Sequence, residues 1–180
     1  MTNGAPTSNS SGGFFPRIDG YAFWTILVSG AFATLAFDLF GQTISPMLKS
    51  VLSPYMGAKL APVGLANQSL GVLTGLGAKF ISANGIGHLM HLITGLTLYP
   101  IGYMFVARPI SLKVAPFVPW WGTAIVYGVV LFVFALYIMA HLVAGNPPFL
   151  GWGGITWVAL WGHIVFALVV AGFVRVRHGW

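Results

Sequence analysis

GIGHLMHLITGLTLYPIGYMFVAR, Gly85 to Arg108, is an apolar run of membrane-crossing length that carries two histidines three residues apart. A hydrocarbon core takes about 20 apolar residues as helix, and a helix satisfies its own backbone hydrogen bonds where no water can. The stretch is therefore read as a transmembrane helix. His88 and His91 share one face of it, because residues three apart are neighbours on a helix surface, and Gly95 continues that face. Ionisable side chains at membrane depth are costly and point to function.

The rest of the chain has the same character. Of 180 residues, 57% are hydrophobic and 6% charged, with Asp19 and Asp38 the only acids. A water-facing surface is normally about 25–35% Lys, Arg, Asp and Glu, so this composition belongs to an integral membrane protein. Cysteine is absent, which excludes disulfides, thiolate metal sites, iron-sulfur clusters and Cys nucleophiles. The net charge of +6 comes from basic residues near helix ends, where they set membrane orientation. No nucleic-acid partner is implied; the partners expected are the lipid bilayer and other membrane protein subunits.

Working outward, residues 1–20 read as a disordered tail followed by an interfacial lead-in, FFPRIDG. A four-span domain follows over 21–175, with spans at about 21–44, 85–107, 122–143 and 155–174, and a short tail over 176–180. The connection 45–84 is rich in Gly and Pro with short apolar runs, and a structureless loop of that length is unusual in a compact domain. The expected fold is all-α: an integral membrane four-helix bundle with a long, partly helical outer loop between the first and second spans. Pro100 should kink the second span. Arg17, Arg108, Lys113, Arg175 and Arg177 fall on one side of the membrane, and Lys49, Lys59 and Lys79 on the other. The positive-inside rule then puts both termini in the cytoplasm of an inner membrane and the long loop in the periplasm.

Alternating helix direction brings the histidines to one end. His88 and His91 open the second span, His141 closes the third, and His163 lies about 12–15 Å into the fourth at the helical rise. Asp38, near the end of the first span, falls at a depth similar to His91. Haem b takes two axial imidazoles from facing helices, with small residues beside them. His91 with His163 forms the deep pair for it, and His88 with His141 a shallower one. Copper or zinc held by His88 and His91 is an alternative use of nitrogen ligands. A quinone pocket, or a proton path through Asp38 and the histidines, is another.

The order Gly30-Ala31-Phe32-Ala33-Thr34 through Asp38, then His91 and Gly95, Gly122 with Gly128, and His163 is similar to uncharacterised bacterial four-span membrane protein families. That resemblance implies the four-helix architecture and no activity. The paired histidines on antiparallel spans also resemble the cytochrome b subunits that anchor respiratory dehydrogenases in the membrane. This chain departs from them in having HxxH at the head of one span.

The expected function is a membrane-embedded b-type haem or respiratory-type electron-transfer subunit, with His91, His163, His88 and His141 binding the cofactor and Asp38 as a polar relay. The alternative is a cofactor-free accessory or assembly subunit of a larger membrane complex. A metal-dependent membrane enzyme or a transporter is the third reading.

Overall fold

The computed structural model describes residues 17–52 and 57–179. The tail expected to be disordered and the start of the lead-in lie outside the described residues. Among the described residues there is no strand. Four helices are long and apolar enough to cross a membrane: Gly20–Met47, Ile86–Val114, Trp120–Val143 and Gly154–His178. The protein is an all-α membrane bundle. Its long connection is partly helical, with helices Pro62–Thr74 and Ala78–Ala83.

The helices run further than the apolar runs suggest. The second continues through Arg108 and Lys113 to Val114 and the fourth through Arg175 and Arg177 to His178, since a helix need not stop where the hydrocarbon does. Asp19 caps the first span, accepting a hydrogen bond from the Ala22 N–H at 2.9 Å, one of the donors that a helix start leaves unpaired.

Prolines inside three helical stretches are accommodated by one device. Proline has no N–H, and its ring crowds the carbonyl four residues back. Immediately before Ser45-Pro46, Tyr99-Pro100 and Arg108-Pro109, the helix opens into a five-residue wide turn of π type: Phe40–Ile44, Thr94–Leu98 and Tyr103–Ala107. In each, the N–H of the residue before proline bonds five residues back, from Ser45 to Phe40, Tyr99 to Thr94 and Arg108 to Tyr103. At Pro100, where a kink is expected, the structure has this wide turn and the helix continues. A longer wide stretch, Phe134–Val143, ends the third span.

The fourth span is the centre of the bundle, packed against both the first and the third. Gly128 lets the third approach it: a Cβ there would lie 2.7 Å from Ile164 Cα. The second span packs on the first where the Leu96 carbonyl faces Gly30, so closely that a Cβ on Gly30 would strike that backbone. Small residues at such crossings are how helices associate in lipid, where apolar burial gives little drive. The polar side chains turn inward, with Thr25, Ser29, Thr34, Thr123, Thr156 and His163 buried, while Phe23, Trp24, Phe32, Leu35 and Val126 are exposed on the outside.

The two ends of the described chain meet. Tyr21 Oη donates to the Arg177 carbonyl at 2.9 Å, and Arg177 Nε donates to Thr25 Oγ1 at 2.9 Å. At the other end of the bundle, helix Pro62–Thr74 packs against the second and third spans, with Ser69 Oγ donating to the Met139 carbonyl at 3.1 Å. The turn Pro148–Trp152 completes this end. Phe149, Leu150 and Trp152 hold left-handed backbone, with φ of 48°, 53° and 56°, which costs about 1–2 kcal/mol per residue. Ring contacts hold it in place: Phe149 stacks on Phe132 and on Tyr137, each at 5.4 Å, and lies 4.6 Å from Trp152.

Candidate functional site

A cavity of about 570 Å³ lies at the loop end of the bundle, within the roughly 300–1,000 Å³ of small-molecule sites. All four spans and the loop contribute to its wall: Thr34 and Phe37, then His91, Gly95 and Tyr99, then Phe134 to Leu136 and Met139, then Ala159, His163 and Phe166, closed by Leu60 to Pro62, Leu65, Ser69 and Leu150. Two wide turns belong to this wall, since Thr94, Gly95 and Leu98 come from one and Phe134, Ala135, Leu136 and Met139 from another. Wide turns recur at functional sites because they break the regular spacing of side chains along a helix.

His91 and His163 both line the cavity. Phe37 stands beside both, its ring centroid 6.3 Å from His91 and 5.0 Å from His163. His163 is buried, and its Nδ1 lies 2.7 Å from the Ala159 carbonyl. A carbonyl only accepts, so Nδ1 carries the proton and Nε2 of the neutral ring carries the lone pair. His91 Nε2 lies 3.2 Å from each carboxylate oxygen of Asp38. It donates to that carboxylate, which leaves the lone pair on His91 Nδ1 in the neutral ring. Gln42 Nε2 donates to Asp38 Oδ1 at 2.9 Å and orients the carboxylate from the other side.

The deep pair read from the sequence thus comes together with Asp38, and the shallow pair does not. His88 is exposed, outside the cavity. His141 donates through Nδ1 to the Asn146 carbonyl at 2.7 Å, holding the end of the third span, and its ring leans on Tyr137 at 5.3 Å. Among the described residues, no group of three or more His, Asp or Glu side chains is gathered to hold a metal ion.

Of the aromatic walls expected beside the histidines, Phe166 lines the cavity, three residues after His163 on the same face; Phe37 and Tyr99 are cavity residues that the sequence reading passed over. Tyr99 is eight residues after His91, a spacing that belongs to one helical stripe, whereas Phe37 is next to Asp38 in sequence and carried no such signal. Tyr99 is also anchored from the third span, its carbonyl accepting from Tyr127 Oη at 2.7 Å.

Chemically, the cavity is an apolar, aromatic-walled space lined by two imidazoles, with one carboxylate behind one of them. Each neutral ring keeps one nitrogen that can accept a hydrogen bond, and the Asp38–His91 pair has the arrangement of a carboxylate behind a general base. Comparison of the chain with protein-family models, curated proteins and solved structures finds no match.

Proposed function

We propose that this protein is a quinol-binding subunit of a respiratory-type electron-transfer complex, holding a lipophilic hydroquinone in the cavity. The observation that carries the reading is the hydrogen-bond pattern: His163 Nδ1 is held by the Ala159 carbonyl and His91 Nε2 by the Asp38 carboxylate, which leaves one accepting nitrogen on each neutral ring, and both side chains line one cavity. A hydroquinone supplies two hydroxyl donors on an apolar ring, and its tail suits a site whose surroundings are lipid. His91 and His163 are the hydrogen-bond partners, His91 with Asp38 behind it is the proton relay, and Phe37 and Tyr99 are the aromatic walls. The basic residues at the terminal end of the bundle support an inner-membrane orientation with both termini cytoplasmic and the loop helices periplasmic.

The test is titration of the detergent-purified protein with a short-chain hydroquinone, read by quenching of tryptophan fluorescence. Saturable binding is expected, weakened about tenfold by His163→Ala and by Asp38→Asn, the worth of roughly one hydrogen bond to a buried group. No saturable binding, or binding indifferent to both substitutions, would refute the reading.

Haem b is the second reading, favoured by His163, because an imidazole whose Nδ1 is held by a carbonyl offers Nε2 to a metal. The wall fits haem less well. None of the described lining residues is Lys or Arg to meet the propionates, and His91 Nε2 is already engaged by Asp38. An absorption spectrum of the same sample, oxidised and then reduced with dithionite, separates the two: a Soret band lost in His163→Ala would favour haem over quinol.

A further inference from the structure

Arg108 sits near the opposite end of the second span from the cavity. It is 22 residues beyond Ile86, about 33 Å at the helical rise, close to the far face of the hydrocarbon layer. It is nonetheless buried, with 6% of its surface exposed. Nη1 donates to Thr123 Oγ1 at 3.3 Å, Ser111 Oγ meets the same hydroxyl at 2.7 Å, and Nε has no hydrogen-bond partner among the described residues.

Among the described residues, no carboxylate answers this charge. Of the two acids in the chain, Asp38 is held by His91 and Gln42, and Asp19 caps the first span. The one ion pair among the described residues is His91 with Asp38. A guanidinium always keeps its charge, and burying it without a partner is strongly unfavourable. The second positive element is the start of the third span. Thr123 is the first residue of that helix whose N–H is paired, with the Pro119 carbonyl at 3.1 Å; the N–H groups of the turn before it carry partial positive charge, and no side chain caps that end. A buried cation beside the positive end of a helix, with two hydroxyls between them, is an arrangement that an anion completes.

We infer that Arg108, Ser111, Thr123 and the first turn of Trp120–Val143 form a binding site for a phosphate-type anion, taken from a phospholipid headgroup or from free phosphate. Planar guanidinium donors and hydroxyls match tetrahedral oxyanions, and helix starts bind phosphate through their free N–H groups. The site is separate from the cavity and does not depend on what the cavity holds.

The experiment is thermal unfolding and native mass spectrometry of the detergent-purified protein with two probes, phosphatidic acid and inorganic phosphate. The wild type is expected to retain and be stabilised by at least one. Arg108→Gln should weaken that binding about tenfold, the loss of a charge-assisted contact. Thr123→Val, which keeps the charge, should weaken it less. Arg17→Gln, with the same change in net charge, should leave it unaltered. Binding of phosphatidic acid that inorganic phosphate does not displace identifies a lipid site; binding of inorganic phosphate alone identifies a soluble anion. If neither probe binds the wild type, or if Arg108→Gln binds no more weakly than Arg17→Gln, the inference is overturned.

Discussion

Thr34 and Gly95 meet where the first span crosses the second at the cavity wall. The Thr34 hydroxyl is buried without a hydrogen-bond partner among the described residues, and a Cβ on Gly95 would collide with it. Gly95→Ala alone is therefore expected to destabilise the protein by about 1–3 kcal/mol, as overpacking does. Thr34→Ala alone should cost about 1 kcal/mol, for the buried methyl it removes, because the hydroxyl it also removes bonds to nothing among the described residues. The double variant should recover part of the Gly95→Ala loss, a coupling of about 1 kcal/mol. Thermal unfolding of the four proteins in one detergent measures it, and strict additivity would show that the contact is not what limits position 95. At this scale the sequence was legible for its rarest residues. His91, His163 and Asp38 stand out because ionisable groups are scarce in a span, and alternating helix direction placed them at a common end. It separated them from His88 and His141 only by depth, because facing a cavity or the outside depends on helix rotation, which depth does not give. Arg108 read as an orientation signal at a span end; its burial arises from the third span, whose Thr123 it reaches.

The crossing of the third and fourth spans shows what an element contributes to the site. A Cβ at Gly128 would meet Ile164 Cα at 2.7 Å and the His163 carbonyl at 2.9 Å. Both are backbone, so the helices themselves must separate, and His163 moves with them. Gly128→Ala is expected to lower the unfolding temperature and weaken hydroquinone binding together. Gly172→Ala, where a Cβ meets nothing within 4 Å, should leave binding unchanged and stability equal or higher by up to about 1 kcal/mol, from helix propensity. If binding survives in Gly128→Ala with stability lowered, the crossing serves the fold alone. The spans were legible as elements because a run of about 20 apolar residues has few other homes. The wide turns were not, although each of the three short ones is announced by a proline within a helical stretch. Pro100 was visible as an interruption; that the helix answers with a wider turn and continues is a property of backbone geometry.

For the molecule as a whole, the even number of spans and the meeting of Tyr21 with Arg177 put the two described ends together. The absence of cysteine makes their side of the membrane directly testable. With single cysteines at exposed positions, Lys59→Cys in the loop and Arg175→Cys at the terminal end, the proposed orientation predicts that a membrane-impermeant maleimide labels position 59 in intact cells. Position 175 should label only after the membrane is opened. The reverse pattern would invert the proposed orientation while leaving the bundle unchanged. Which helices are neighbours was not legible, because inward-facing Ser, Thr and Gly mark the buried face of a span without saying which other span covers it. The fourth span is central because Gly128 and its own small residues admit close neighbours, a property of pairs of helices.

The wide turns also bear on how this chain tolerates changes in length. Each is what one extra residue looks like once the helix on either side has kept its place. Removing a residue from Thr94–Leu98 while replacing Pro100 with alanine would return that stretch to an ordinary helix, with His91 and Tyr103 still facing their present neighbours. The fourth span has no such slack from Gly154 to His178. A single deletion there would rotate everything beyond it by about 100°, so the central helix is the part of the chain whose residue count is fixed.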